Sequence, residues 1–159
     1  MFVQIIEGIV GDRELLQAQM GRWRTDVKPG AVGFLGSTSG ITDEGVGFVA
    51  ARFASAEAAR QNSDRPEQSQ WWEQTAPAFE GEIEFLDCDD VDVIFDGGSD
   101  EAGFVQVMEG RAKDPAAMKR QARSMEDDLR AARPDVLGGL IAWHQDRGFT
   151  QIVYFTSEA

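Results

Sequence analysis

His144 is the only histidine in the sequence, and a neutral imidazole is suited to act as a general base or to ligate a metal or haem. Its sequence neighbours complete no catalytic triad, and a hairpin end partly facing water accounts for it equally well. Trp23, Trp71, Trp72 and Trp143, together with the phenylalanines, could line an apolar pocket for a flat aromatic ligand. Plain core filling is the simpler account of Trp23 and Trp143. For the adjacent pair Trp71 and Trp72, one ring should face the core while the other points elsewhere and covers a cleft or an interface. Gln4 and Gln106 are amides set inside apolar strands and need hydrogen-bond partners if buried, so both are pocket candidates. Glu7 and Glu109 end the same strands.

Asp87, Asp89, Asp90 and Asp92 surround Cys88, the one cysteine. Carboxylates suit hard cations, but the spacing fits no EF-hand loop and the glycine of its turn is missing. A charged strand edge that discourages stray pairing is the better reading, and no metal site is expected. Cys88 has no basic neighbour to lower its pKa. A single cysteine allows no intrachain disulfide, which fits a reducing compartment. There is no P-loop, dinucleotide fingerprint, nucleophile elbow or zinc spacing.

The elements that must position these residues occur twice. Phe2-Val3-Gln4-Ile5-Ile6-Glu7-Gly8 returns as Phe104-Val105-Gln106-Val107-Met108-Glu109-Gly110. Asp12 then matches Asp114, and Leu16, Met20, Trp23 and Val27 match Met118, Ala122, Met125 and Leu129. Both sets carry the spacing of one helix face. Asp12 and Asp114 are the expected N-caps, with Pro115 at a first helical position. Each copy reads strand, helix, strand, strand, and in the first copy a further helix and strand follow. That copy places its strands at 2–8, within a hairpin over 31–53, and around 83–85, with helices over 12–27, from Ala56 to Asn62, and through Trp71-Trp72.

In the second copy, Val136–His144 and Phe149–Phe155 form a hairpin apolar on both faces. One face is assigned Leu140, Ala142, Val153 and Phe155, the other Ile141, Trp143, Ile152 and Tyr154. A sheet apolar on both faces must be covered on both. The division is a first repeat over 1–97, a linker over 98–103 and a second repeat over 104–159. The second repeat lacks its second helix and last strand. The chain is therefore expected either to be shortened, which is preferred, or to take the missing cover from another subunit.

Twenty-eight acidic against fifteen basic residues give a net charge of −13. Such a field repels nucleic acid and anionic lipid surfaces, so neither is an expected partner. No stretch approaches a membrane span and the N-terminus is no signal peptide, which makes a cytoplasmic protein the default.

A duplicated βαββαβ unit opening Phe2-Val3-Gln4-Ile5-Ile6-Glu7-Gly8 resembles the dimeric α/β-barrel superfamily. The segments Arg52–Ala59, Ser63–Glu67 and Trp71-Trp72 make it most similar to antibiotic-biosynthesis-monooxygenase (ABM)-like domains in tandem duplication. The resemblance implies an α+β fold of ferredoxin-like repeats with antiparallel sheets packed face to face, as a homodimer or an intrachain pseudo-dimer. It implies either a module that binds a small apolar or aromatic ligand without a catalytic constellation, or a cofactor-independent monooxygenase acting on a phenol or quinol. His144 or a strand glutamate would then be the base. The pocket residues would be Gln4, Trp71, Trp72, Gln106 and Trp143. The haem-degrading members resemble a pattern of strand Asn, helix Trp and a following His. Here the strand carries Gln and no His follows Trp72. No cofactor is expected, and haem held by His144 without degradation is a third reading.

Overall fold

In the computed structural model, which describes residues 1–158, β1 (Phe2–Val10) runs into Asp12 and the chain turns helical at once. The Asp12 carboxylate accepts a hydrogen bond from the Leu15 N–H at 2.9 Å and caps α1 (Arg13–Arg22). The helix continues as one π-turn over Trp23–Val27, and Pro29 lies in a short 3-10 turn after it. β2 (Phe34–Ile41) and β3 (Val46–Phe53) form the expected hairpin. Ser55 caps α2 (Ala56–Ser63) through the Ala58 N–H. Pro66 stands at the first position of α3 (Pro66–Thr75), where a missing N–H costs nothing. β4 (Phe79–Cys88) closes this unit, Met1–Asp89.

Its sheet has the order β2-β3-β1-β4, with every neighbouring pair antiparallel. That is the ferredoxin-like arrangement of strand, helix, strand, strand, helix, strand. Register puts Phe2, Gln4 and Ile6 beside Phe53, Ala51 and Val49 on one face. Phe2 and Phe53 pack there with Ala59 of α2, so this is the face the helices cover. The opposite face also carries fully buried residues, Val3, Ile5 and Cys88. Burial, with Asp87 and Asp89 beside it, pushes the Cys88 thiol up to about 11, so it is inert at neutral pH.

The second unit begins at Asp90. β5 (Asp90–Phe95) pairs with β7 (Val136–His144), which pairs with β8 (Gly148–Phe155), which pairs with β6 (Phe104–Arg111). On sequence alone residues 90–97 belong to the first repeat, 1–97. In the structure Asp90–Phe95 is instead an edge strand of the second sheet. β6, β8 and β7 take the places of β1, β3 and β2. The place beside β6 that β4 holds beside β1 carries no strand among the described residues. Asp114 caps α4 (Pro115–Ser124) through the Ala117 N–H at 2.9 Å, the counterpart of Asp12. A break at Met125 separates α4 from α5 (Glu126–Ala132).

Removing either cap leaves an amide donor without its partner. Asp12→Ala and Asp114→Ala are each expected to cost about 1 kcal/mol in urea unfolding. Asn at either position should restore most of it.

The hairpin faces differ from the expected assignment by one residue. His144 pairs with Gly148 across a three-residue 3-10 turn, so Leu140 lies opposite Ile152 and Gly138 opposite Tyr154. Leu140, Ala142, Ile152 and Tyr154 therefore share one face, and Ile141, Trp143, Val153 and Phe155 the other. A slip of one residue exchanges faces. Both faces remain apolar, and Leu140 and Ile152 are fully buried. Met118 and Ala122 of α4 cover Ile141 and Trp143.

Asp92 is not a solvated edge carboxylate. Its side chain is 13% exposed and accepts from Arg123 at 2.7 Å and from the Trp143 indole at 2.8 Å, while Lys119 pairs with Asp90 and Asp92. Desolvation opposes its ionisation, but Arg123, Trp143 and the Lys119 charge prevail and hold its carboxyl below the ordinary range. A depressed folded-state pKa stabilises above the unfolded value, and the gain is lost as pH falls through the folded value. Asp92→Ala should therefore cost about 2 kcal/mol at neutral pH. The difference from the parent should shrink below about pH 4, as denaturant titrations at both pH values would show.

Candidate functional site

The face of the first sheet beneath α1, α2 and α3 carries a pocket rather than a filled core. From the sheet come Gln4, Ile6, Phe34, Ser37, Val49, Ala51 and Phe53, and from the helices Met20, Trp23, Asn62, Ser63, Gln68, Trp71 and Trp72, with Phe79 at the start of β4. The aromatic rings form a chain. Phe53 meets Phe34 at 5.6 Å between centroids, Phe34 meets Trp23 at 4.8 Å, and Trp23 meets Trp71 at 6.4 Å. Trp71 meets Trp72 at 5.9 Å, and Trp72 reaches Phe79 at 6.3 Å and Phe85 at 5.3 Å. Both Trp71 and Trp72 are half-buried and line the pocket, so neither points away from it as the sequence had suggested.

Hydrogen bonds fix two of the indoles. The Trp71 N–H donates to the Gln19 carbonyl at 2.7 Å, and the Trp23 N–H donates to Gln68 Oε1 at 2.9 Å. Gln68 Oε1 also accepts from Asn62 Nδ2 at 3.2 Å, and Asn62 Oδ1 accepts from Arg65 at 3.1 Å. Arg65 continues to the Val27 carbonyl at 3.0 Å, which ties α2 and α3 to the end of the π-turn. Asn62 is buried, so this chain satisfies a polar group that water cannot reach. Phe79 lies against two glycines: a Cβ on Gly8 would sit 2.9 Å from its ring and one on Gly47 3.1 Å. The ring occupies its place because those residues have no side chain.

Gln4 is half-buried and has a side-chain partner. Its Nε2 donates to Asp87 Oδ1 across the strand pair at 2.9 Å. A carboxylate only accepts, so the amide nitrogen faces Asp87 and Oε1 is the acceptor left to the pocket.

Of the six residues expected to form a site, Gln4, Trp71 and Trp72 meet in this pocket. His144, Gln106 and Trp143 lie in the second unit and do not line it. Trp143 is a core residue bonded to Asp92, and Gln106 is exposed. His144 is half-buried. Its Nε2 lies 3.3 Å from the Thr150 hydroxyl, which donates to Glu109 Oε1 at 3.3 Å. Nδ1 is packed against Gly148, where a Cβ would come within 2.4 Å. This imidazole is held between Thr150 and Gly148.

The second unit's groove, about 340 Å³, is lined by Ile94, Met118, Ala122, Met125, Leu129 and Ile141 among others, and holds no aromatic ring. The lining of the aromatic pocket holds no histidine, cysteine or tyrosine able to ligate haem iron as those residues do elsewhere. Among the described residues no group of three or more His, Cys, Asp or Glu is placed to hold a metal ion, and no helix is long and apolar enough to cross a membrane.

No family model matches the chain, and no curated protein matches it. Solved structures do. A "putative monooxygenase" from Lactobacillus acidophilus superposes with a TM-score of 0.78 at 15% identity over 99% of this chain and 77% of its own. Another so described, from Fusobacterium nucleatum, gives 0.75 at 10% identity over 99% and 76%. A "putative antibiotic biosynthesis monooxygenase" from Caulobacter crescentus gives 0.51 at 17% identity, matching 57% of this chain with 90% of its own. A near-complete ABM structure thus accounts for little more than half of the chain. The fold is α+β, a tandem ABM-like duplication with two four-stranded antiparallel sheets.

Proposed function

We propose that the first unit binds a small planar aromatic molecule, without metal or organic cofactor. The observation that carries this reading is the chain of aromatic rings around a pocket in which the Trp23 and Trp71 indoles and the Asn62 amide already have hydrogen-bond partners. Gln4 Oε1 remains to accept a hydrogen bond, as from a phenolic hydroxyl. The free volume is about 70 Å³. That is roughly half of the ~150 Å³ that admits benzene, so a ring enters by displacing a wall side chain. Trp72 and Phe79, each with only tilted or edge-on ring neighbours and no hydrogen bond, are the side chains best placed to yield. Titration with α-naphthol, followed by tryptophan fluorescence, tests this. Saturable quenching is expected, and its absence would remove the proposal.

The ABM-like fold favours a second reading, monooxygenation of the bound phenol. A naphthol that gives its electrons to O₂ takes up one oxygen atom at the ring carbon opposite its hydroxyl. The other oxygen leaves as water, and naphthol plus O₂ gives naphthoquinone plus H₂O. The lining contains no carboxylate, lysine or histidine. The hydroxyl of the bound phenol would donate to Gln4 Oε1, and its proton would pass to solvent as the ring is oxidised, with the aromatic walls keeping the ring in place. One O₂ consumed per quinone formed, above a heat-denatured control, is the expected result. Binding without uptake would leave the first reading and remove the second.

A further inference from the structure

Beside the aromatic pocket, α1 and the β2–β3 hairpin enclose a second cleft of about 500 Å³. Its floor is apolar, with Leu16, Met20, Ile41 and Phe79, and its rim carries Arg13 and Arg24. Met20, Val49 and Phe79 line both spaces, so pocket and cleft share one wall. Neither arginine has an ion pair among the described residues. Arg13 donates one hydrogen bond, to the Thr42 carbonyl at 3.3 Å, and Arg24 has no hydrogen bond or ion pair among the described residues. In a chain of net charge −13, two exposed guanidiniums without a carboxylate partner among the described residues on one cleft are a local positive field.

We infer that the ligand of the first unit is an aromatic carboxylate. This rests on the aromatic-pocket reading and specifies its substrate class. The ring occupies the tryptophan-lined pocket, the molecule passes the Met20–Phe79 wall, and its carboxylate meets Arg13 or Arg24, which stand at opposite ends of the α1 stretch along the rim. A guanidinium presents paired donors that match a carboxylate, and it is the group of choice where an anion must be oriented. The overall field of this protein repels anions. A preference for an anion over its neutral analogue would therefore point to a local cation.

The test compares naphthalene-acetate with naphthalene-acetamide, the same ring and chain with and without charge, by tryptophan quenching. The acetate should bind at least about tenfold more tightly at low ionic strength, the size of one charge-assisted hydrogen bond. The advantage should shrink in high salt. In the double variant Arg13→Gln/Arg24→Gln the acetate should fall to the affinity of the amide, while the amide stays unchanged. Arg60→Gln, an exposed arginine paired with Glu57 outside the cleft, serves as the charge control and should preserve the preference. Equal binding of acetate and amide, or a preference that survives the double variant, would overturn the inference while leaving the aromatic pocket intact. Failure of both probes to bind would overturn the pocket and the inference together.

Discussion

Trp71→Ala should weaken α-naphthol binding by about thirty-fold, the loss of a buried aromatic anchor worth roughly 2 kcal/mol. Trp71 stands at the middle of the ring chain, 6.4 Å from Trp23 and 5.9 Å from Trp72, with its indole fixed on the Gln19 carbonyl. Removing it takes away a wall of the pocket and the shared edge of two aromatic pairs. Stability should fall as well, by about 3 kcal/mol, the lower end for a Trp-to-Ala change because the residue is half-buried. Trp71→Phe separates the two effects. It keeps a ring in the chain and loses the hydrogen bond, so binding should weaken only several-fold. Calorimetric titration for affinity and urea unfolding for stability give the two numbers independently.

Gln68→Ala should destabilise the first unit by about 2 kcal/mol, since it strips the acceptor from two donors at once. The Trp23 indole N–H and the Asn62 amide both donate to Gln68 Oε1, and Asn62 is buried. An orphaned buried donor costs its full desolvation, which exceeds the value of an ordinary hydrogen bond. Trp23 would also lose its orientation, so naphthol affinity should drop with stability. Gln68→Glu keeps an oxygen acceptor in the same position, with Arg65 one residue further along the network. It should recover most of both losses. Equal damage from Ala and Glu would show that the side chain fills space rather than accepting hydrogen bonds.

The elements were legible because the chain states them twice. Asp12 and Asp114 begin helices with the same cap, and Ser55 and Pro66 start α2 and α3 where their chemistry allows. β5 was harder. Val91, Val93, Ile94 and Phe95 are apolar enough for a strand, but nothing local says which of two sheets an edge strand joins, since pairing is a long-range contact. The hairpin faces turned on whether the turn holds three residues or four, and that parity is invisible in apolar alternation.

The site was half legible. Gln4, Trp71 and Trp72 are unusual residues in regular elements, and their types point to a pocket. Trp23 was read as core because it lies on the apolar stripe of α1. Residue type alone does not single out Gln68 and Asn62. Their role depends on Trp23 and Gln68 meeting across 45 residues of sequence. One signal was available: Gln68, Trp71, Trp72 and Thr75 follow the spacing of a single helix face, which places an amide beside the indoles. His144 and Trp143 attracted attention by residue type alone, and their neighbours in the fold hold them in structural contacts.

The central claim is that the aromatic pocket of the first unit, and not the groove of the second, takes the ligand. Methionine methyl groups report on both. Met20 lines the first, while Met118 and Met125 line the second. A spectrum of the methyl-labelled protein titrated with α-naphthol should show the Met20 signal shifting under the ring current of the bound aromatic, with Met118 and Met125 stationary. Movement of Met118 and Met125 with Met20 unchanged would contradict the account.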